Sequence, residues 1–270
     1  MIYTETCDHF AELAAQKTVG LKRAPVGFFA GTLLGGAYIG VAYVLALTVA
    51  AGLPPGVRPL VLGAVFGIGL ILVIMAGAEL FTGHVMYMTF GMAKGTVKPM
   101  DALLVLVTVW IGNLIGSILL ATLFAKGGGG AVFAAPANYL HDFVAHKQDS
   151  PVLALLCRAT LCNWLVCLAI WLPARLSSDS AKIIGMAWCL LAFVACGFEH
   201  SVANMTIFTL GLLAPVQAGT LGGAAYNLLW VTIGNILGGG VLVAGAYLLS
   251  STVDAHAPGL THNPAATWRS

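Results

Sequence analysis

The sequence predicts an all-α membrane protein, with six transmembrane helices in an inverted three-helix repeat whose second and fifth helices are broken. Three observations lead there. Charged residues number 12 Lys or Arg and 10 Asp or Glu among 270, which is 8%, against about 25% in an ordinary soluble domain. Six apolar stretches reach the length of about 20 residues that a bilayer crossing needs. Polar interruptions in the two longest of them align at a fixed offset. So few charges could not clothe a water-soluble globule of this size, which excludes a soluble enzyme. A net charge of +2 is too small and too scattered to suggest nucleic acid as a partner.

The chain opens on a polar segment, 1–26, without the short apolar core and cleavage site of a signal peptide. Over 4–22 it reads as an amphipathic helix with Phe10 and Leu13 on its apolar side. The spans follow at 27–52, 60–92, 102–125, 151–173, 183–213 and 222–249. They form a six-span body over 27–250, with repeats at about 27–125 and 151–249, and a polar tail closes the chain at 251–270. Pro54, Pro55 and Pro59 punctuate the first turn, and 126–150 is the longest loop. The apolar runs are continuous and do not alternate, which excludes transmembrane strands.

Lys and Arg set the orientation. Lys17, Lys22, Arg23, Lys94, Lys98, Arg175, Lys182 and Arg269 fall on one side, and only Arg58, Lys126 and Lys147 on the other. Both termini are therefore expected in the cytoplasm. Arg158, near the start of the fourth span, belongs to neither count.

Ala76-Gly77-Ala78-Glu79 interrupts the second span, and Cys196-Gly197-Phe198-Glu199-His200 the fifth, an offset of 120 between the two glutamates. Trp110-Ile111-Gly112-Asn113 in the third span answers Ile233-Gly234-Asn235 in the sixth, an offset of 122 for Asn. Three spans per copy means that the second copy enters from the opposite side. Paired interruptions in corresponding spans of an inverted repeat point to a permeation or binding site, because non-helical backbone survives at membrane depth only beside protein or a watery cavity.

Glu79 and Glu199 are the only acids within the spans, where a carboxylate is costly. The structural reading makes each the cap of its half-helix; the sharper alternative is proton carriage. His200 lies in the break beside Glu199 and four residues before Asn204, and its ordinary titration range suits a proton exchanger. His84 reads as a hydrogen-bonded core residue. Arg158 either snorkels to the interface or draws anions inward. Asn113, Asn163 and Asn235 read as helix-binding residues, and the cysteines within the spans as small hydrophobes. Gly31, Gly35, Gly36 and Gly40, with Gly234 and Gly238, allow close helix contact.

Ala78-Glu79-Leu80-Phe81-Thr82-Gly83-His84 and Gly197-Phe198-Glu199-His200-Ser201-Val202-Ala203-Asn204-Met205 resemble the two signatures of the formate/nitrite transporter family. Leu161 to Trp171 and Asn227 to Thr232 strengthen the resemblance, which runs over about 20–250 and is nearest to the nitrite-channel branch. It implies an aquaporin-like fold, a homopentamer with a pore in each protomer, and the cytoplasmic (inner) membrane as its place. On that resemblance His200 is the central His, Thr82 the Thr of the broken second helix and Asn204 the Asn that follows. Leu70, Leu80 and Phe81 form the cytoplasmic constriction, and Phe66 and Phe193 the outer one. Where the family usually has Lys, this chain has Arg158, which does not give up its proton.

The implied function is passage of nitrite or a similar small monovalent anion, with no enzymatic activity, cofactor or metal. A bare anion between apolar rings faces a Born penalty. Arg158 and the positive ends of half-helices lower it, and His200 could lend a proton. Proton-coupled transport of the same cargo is the first alternative. A neutral-solute channel is the second, although the Asn-Pro-Ala at 263–265 lies in the tail and not in a break. A membrane enzyme or haem protein using His84 and His200 is the third.

Overall fold

The computed structural model describes residues 3–134 and 138–256. The tail beyond His256, with Arg269 and the Asn-Pro-Ala at 263–265, lies outside the described residues, as do 135–137 of the long loop. Among the described residues every regular element is helical.

Helix α1 (Thr4–Arg23) is followed directly by α2 (Pro25–Ala50), where Pro25 fits the first helical position because its missing N–H has no partner to lose. The second span is α3 (Arg58–Phe66) and α4 (Ile68–Ile71), continued as a π-helical stretch to Gly77, then broken. After the break α5 (Phe81–Ala93) resumes, and α6 (Pro99–Lys126) crosses in full. The long loop holds a short turn, α7 (Gly130–Ala134), and a helix, α8 (Asn138–Gln148). The second repeat runs α9 (Val152–Trp171), α10 (Asp179–Ala195), a break, α11 (Ser201–Leu213) and α12 (Leu221–Leu237). A π-helical stretch then leads into α13 (Ala246–His256), so the last helix runs past residue 250.

Among the described residues, five helical runs are long and apolar enough to cross a membrane: Pro25–Ala50, Arg58–Gly77, Pro99–Lys126, Val152–Arg175 and Leu221–Thr252. The fifth stretch in the sequence, 183–213, is not among them because its break divides it into helices of 17 and 13 residues.

Packing repeats as the sequence does. Helix α2 lies along α6, and α9 along α12; α3 packs on α10, the unbroken half of each interrupted span against the other. Small residues set how closely the first two pairs approach. A Cβ on Gly36 would meet the carbonyl oxygen of Asn113, and one on Gly238 that of Thr160. The glycine pairs therefore pack helices within this chain. Trp110 donates its indole N–H to Thr232 Oγ1 at 3.1 Å. These two residues are 122 apart, the offset of Asn113 and Asn235, so each touches its own repeat mate and the pseudo-twofold axis passes close by.

Two helices outside the spans complete the symmetry. Helix α1 covers α5 on one side, and α8 leans on α11 and α12 on the other. The buried face of α1 carries Phe10, stacked between Tyr87 (5.4 Å) and Trp171 (5.6 Å). On the same side Lys22 pairs with Asp101 (2.7 Å) and Lys94 with Asp8 (2.9 Å), so the cation-rich segments gather on one face. Leu103, Leu104, Ile111, Leu119 and Leu123 of α6 point outward, exposed, as a surface bathed in lipid or a neighbouring subunit requires.

Candidate functional site

Each break begins at a glycine in the left-handed region, Gly77 (φ +87°) and Gly197 (φ +69°), which a side chain would strain. The chain then runs extended to the start of the next half-helix. Its backbone groups, buried and outside any helix, must be paired, and two asparagines do this identically. Asn113 Oδ1 accepts from Phe81 N–H (2.9 Å), while its Nδ2 donates to the carbonyls of Thr32 (2.7 Å) and Glu79 (2.8 Å). Asn235 Oδ1 accepts from Ser201 N–H (2.9 Å), and its Nδ2 donates to those of Ala159 (2.8 Å) and Glu199 (3.0 Å). The Glu79 N–H reaches Gly31 O and the Glu199 N–H reaches Arg158 O.

The carboxylates do not cap the half-helices, contrary to the structural reading of the sequence. They stand one residue too early. The N-cap positions belong to Leu80 and His200, and at the latter Nδ1 accepts from Ala203 N–H at 3.1 Å. That contact fixes the tautomer. An Nδ1 that accepts from an N–H is bare, so the ring is neutral with its hydrogen on Nε2. Nε2–H then points to Thr82 Oγ1, 3.1 Å away on α5. Thr82 and His200 thus meet between the starts of the two half-helices, both buried. Asn163 holds the Thr82 carbonyl from α9 at 3.1 Å.

Both carboxylates turn away from this meeting point toward a lysine. Lys147, from α8, reaches Glu199 Oε2 at 3.0 Å; the pair is almost fully buried, at 5% and 1% exposure. Asn204 Nδ2 donates to the same oxygen (2.6 Å) and to Asn227 Oδ1 (2.7 Å). Asn227 Nδ2 in turn holds the Lys147 carbonyl (2.9 Å). On the other side Lys17, from α1, reaches Glu79 Oε1 at 2.7 Å, and His84 Nε2 lies 3.0 Å from Oε2. Each end of the protomer has the same plan, an external helix delivering a lysine to the glutamate of the break.

A vestibule opens at each end. The one on the α8 side, about 410 Å³, is lined by Tyr43, Arg58, Tyr139, Lys147, Cys196 and Glu199 among others. The one on the α1 side, about 440 Å³, is lined by His9, Lys17, Glu79, Leu80, His84 and Lys182 among others. Burial holds the Tyr139 hydroxyl above its ordinary range, with the Arg58 guanidinium 4.6 Å from its ring opposing the shift. From the α8 side an aromatic series leads inward: Tyr43 to Phe66 (4.9 Å), Phe66 to Phe193 (5.6 Å) and Phe193 to His200 (6.0 Å, 19° between planes). Leu80 lines the α1-side vestibule next to the break, and Leu70 is buried.

Two residues singled out in the sequence are placed apart from this set. Phe81 lines a separate apolar groove with Trp110, Met205 and Leu228 between α6 and α12. Arg158 contributes its carbonyl to the Glu199 break, but its guanidinium bonds Ser150 Oγ (2.6 Å) and Ala154 O (3.2 Å). The cations on the two carboxylates are Lys147 and Lys17, which the sequence reading counted only as loop and terminal charges. For Lys147 the signal was present: Tyr139, Leu140, Phe143, Val144 and Lys147 share one face at helical spacing. His84, read as a core residue, sits on Glu79.

The formate/nitrite transporter profile matches residues 4–249. The chain is 43% identical over 247 residues to the nitrite transporter NirC of Escherichia coli, covering 91% of each. A solved structure described as an FNT family ion channel superposes with a TM-score of 0.88 at 43% identity, over 92% of this chain and 99% of that one. A pentameric formate channel with formate bound does so at 0.70 and 28% identity, over 86% and 99%. With two half-helices meeting at Thr82 and His200, and with these matches across nearly its whole length, the chain belongs to the formate/nitrite transporter family as a multi-pass membrane protein.

Proposed function

We propose that the protein conducts nitrite, or a similar small monovalent anion, through a pore in each protomer of a homopentamer in the cytoplasmic membrane, with both termini in the cytoplasm. The observation that carries this reading is the Thr82–His200 contact. It is a single polar station between two half-helix starts, flanked by Leu80 and by the Phe66–Phe193 pair, with a lysine–glutamate pair at each end. The nitrite transporter and the pentameric formate channel among the relatives support the cargo class and the assembly.

The chemistry follows from the residues. A small anion entering an apolar neck loses its hydration, at a cost that rises steeply as the surroundings become less polar. The positive ends of α5 and α11 lower that cost, whereas the charges of Lys147 and Lys17 are each offset by the glutamate they pair with. At the centre the anion accepts from the Thr82 hydroxyl and from His200 Nε2–H. For His200 to lend a proton it must first take one at Nδ1, which costs α11 its cap from Ala203. An anion at Nε2 compensates that loss electrostatically, so protonation accompanies passage and reverses when the cargo leaves.

Purified protein in a planar bilayer tests the reading, with currents recorded in nitrite, formate and chloride at several pH values. Large unitary nitrite currents flowing down the gradient are expected. Silence in the bilayer, with nitrite uptake into liposomes only under an imposed proton gradient, would replace the channel by a proton-coupled transporter.

A further inference from the structure

The two ends of the protomer share a plan but differ in the residue that approaches the glutamate from the following half-helix. His84 and Asn204 are 120 residues apart, the same offset as Glu79 and Glu199, so they are repeat mates. Each approaches its glutamate, Asn204 Nδ2 at 2.6 Å from Glu199 Oε2 and His84 Nε2 at 3.0 Å from Glu79 Oε2. The amide of Asn204 carries its hydrogen permanently. His84 has no such guarantee. Its Nδ1 is 2.9 Å from the Leu80 carbonyl oxygen, which only accepts, so Nδ1 must hold a hydrogen. In a neutral ring Nε2 would then be a bare lone pair facing a carboxylate oxygen. A 3.0 Å approach between two acceptors is repulsive, so a second proton is needed between Nε2 and Oε2. Lys17 does not supply it, since its ammonium is on the other oxygen, Oε1.

We propose that His84 and Glu79 hold one bound proton between them, and that this proton-binding site sets how readily an anion is admitted from the α1 side. The proposal rests on the anion-pathway reading above for its effect on transport, but not for the proton itself. With the proton in place, Lys17, Glu79 and His84 together carry one net positive charge; without it they are neutral. The Lys147, Glu199 and Asn204 group is neutral in either case. The α1 mouth is therefore responsive to pH and the α8 mouth, by this route, is not.

The surroundings of His84 leave it as the group that changes. Helix α1 presents Lys17 and His9 to the vestibule, and α10 presents Lys182, already paired with Asp179 at 3.0 Å. Tyr87, one turn along α5, has its ring 5.4 Å from that of His84. Helix α2 offers Gly31 and Phe28 and α9 offers Ile170, none of them titratable. His84 itself is 1% exposed, and its Nε2 lies 3.0 Å from the carboxylate with no other hydrogen-bond partner among the described residues. His9 is the other histidine at this mouth, and its replacement serves as a control.

The sign follows directly. At low pH on the α1 side the proton is bound and the mouth attracts anions. Raising the pH on that side removes it and the attraction falls. One unit of charge a few ångströms from a cargo in the vestibule, screened at the dielectric of water, is a change of about tenfold in occupancy. Wild type, His84→Asn and His9→Asn would be reconstituted in planar bilayers with the pH of each side varied separately, after size exclusion confirms the same assembly. Asparagine copies the arrangement at Glu199, so His84→Asn retains a donor for Glu79. Wild type and His9→Asn should lose about tenfold in nitrite current as the pH on the α1 side rises, while His84→Asn should stay flat. A side-specific profile that persists unchanged in His84→Asn, or that His9→Asn abolishes, overturns the proposal. Nitrogen-15 histidine spectra and the infrared carboxyl band, compared between wild type, His84→Asn and Glu79→Gln, read the bound proton without any transport. Absence of both an imidazolium signal and a protonated-carboxyl band assignable to this pair also overturns it. A protein that passes no nitrite but shows the proton would instead count against the transport reading alone.

Discussion

Replacing Lys147 by Met should destabilise the protein severely, and a second change, Glu199→Gln, should restore most of the loss. The ammonium lies 3.0 Å from Glu199 Oε2 with both groups nearly excluded from solvent. At that separation and an effective dielectric of about 20, their attraction is roughly 5 kcal/mol. Most of it is offset by the cost of desolvating the two ions, so the intact pair contributes little net stability. Removing one partner is different, because the other is left buried and uncompensated at about 3–5 kcal/mol. Asn204 Nδ2 still donates to the carboxylate and softens this toward the lower figure. For a chain of this size the single variant should melt about 6–15 °C lower, and the double variant within a few degrees of wild type. Thermal unfolding of the purified assembly, followed by intrinsic Trp fluorescence, measures all four members of the cycle. If Lys147→Met melts with wild type, or if adding Glu199→Gln lowers the midpoint further, the pair is not the buried unit described above.

Asn235→Leu keeps the volume but strands one N–H and two carbonyls; at about 1–3 kcal/mol for each buried orphan, the assembly should fall apart during detergent extraction, and an intact gel-filtration profile would contradict this. Gly36→Ala drives a methyl group into the Asn113 carbonyl, and overpacking of this kind costs about 1–3 kcal/mol, which the same melting experiment would detect. His200→Phe removes both the cap of α11 and the donor to Thr82; nitrite flux in liposomes should change in rate or selectivity, and wild-type flux would eliminate a role for the imidazole. Lys17→Met cuts the ion pair that ties α1 to the Glu79 break, so amide hydrogens over Thr4–Arg23 should exchange about tenfold faster by mass spectrometry, a rise of local opening on the scale of one lost charge contact.

Much of this was readable from the chain. Hydropathy located the apolar stretches, and the offsets of 120 and 122 pointed to the repeat, because membrane insertion is governed by local composition and the breaks need Gly at a positive φ. Thr82 was singled out by the resemblance and not by periodicity, and its contact with His200 is seen in the structure. The lysines were not read as partners of the glutamates, for a physical reason. Lys17 and Lys147 belong to polar helices outside the spans, and nothing local in the sequence says that such a helix folds back 62 or 52 residues to neutralise an acid in a break. The capping role went to the wrong residues because Glu is the usual helper at a helix start, whereas here asparagines from α6 and α12 reach across to pair the backbone. The guanidinium of Arg158 reads as an anion lure by charge alone; only its bond to Ser150 shows where it is engaged.

The hydrogen bond between Trp110 and its own mate Thr232 bears on rectification. A scaffold related to itself by a twofold axis in the membrane plane presents the same backbone, the same asparagine clasps and the same half-helix ends to cargo arriving from either face. Such a scaffold alone would give a current–voltage curve symmetric about zero. Any inequality between inward and outward current must then come from positions where mates differ in kind along the path, among them Leu80 against His200, Thr82 against Val202, His84 against Asn204, Val73 against Phe193 and Phe66 against Met186. Exchanging those residues between the two halves should turn the curve end over end, with the fold left as it is.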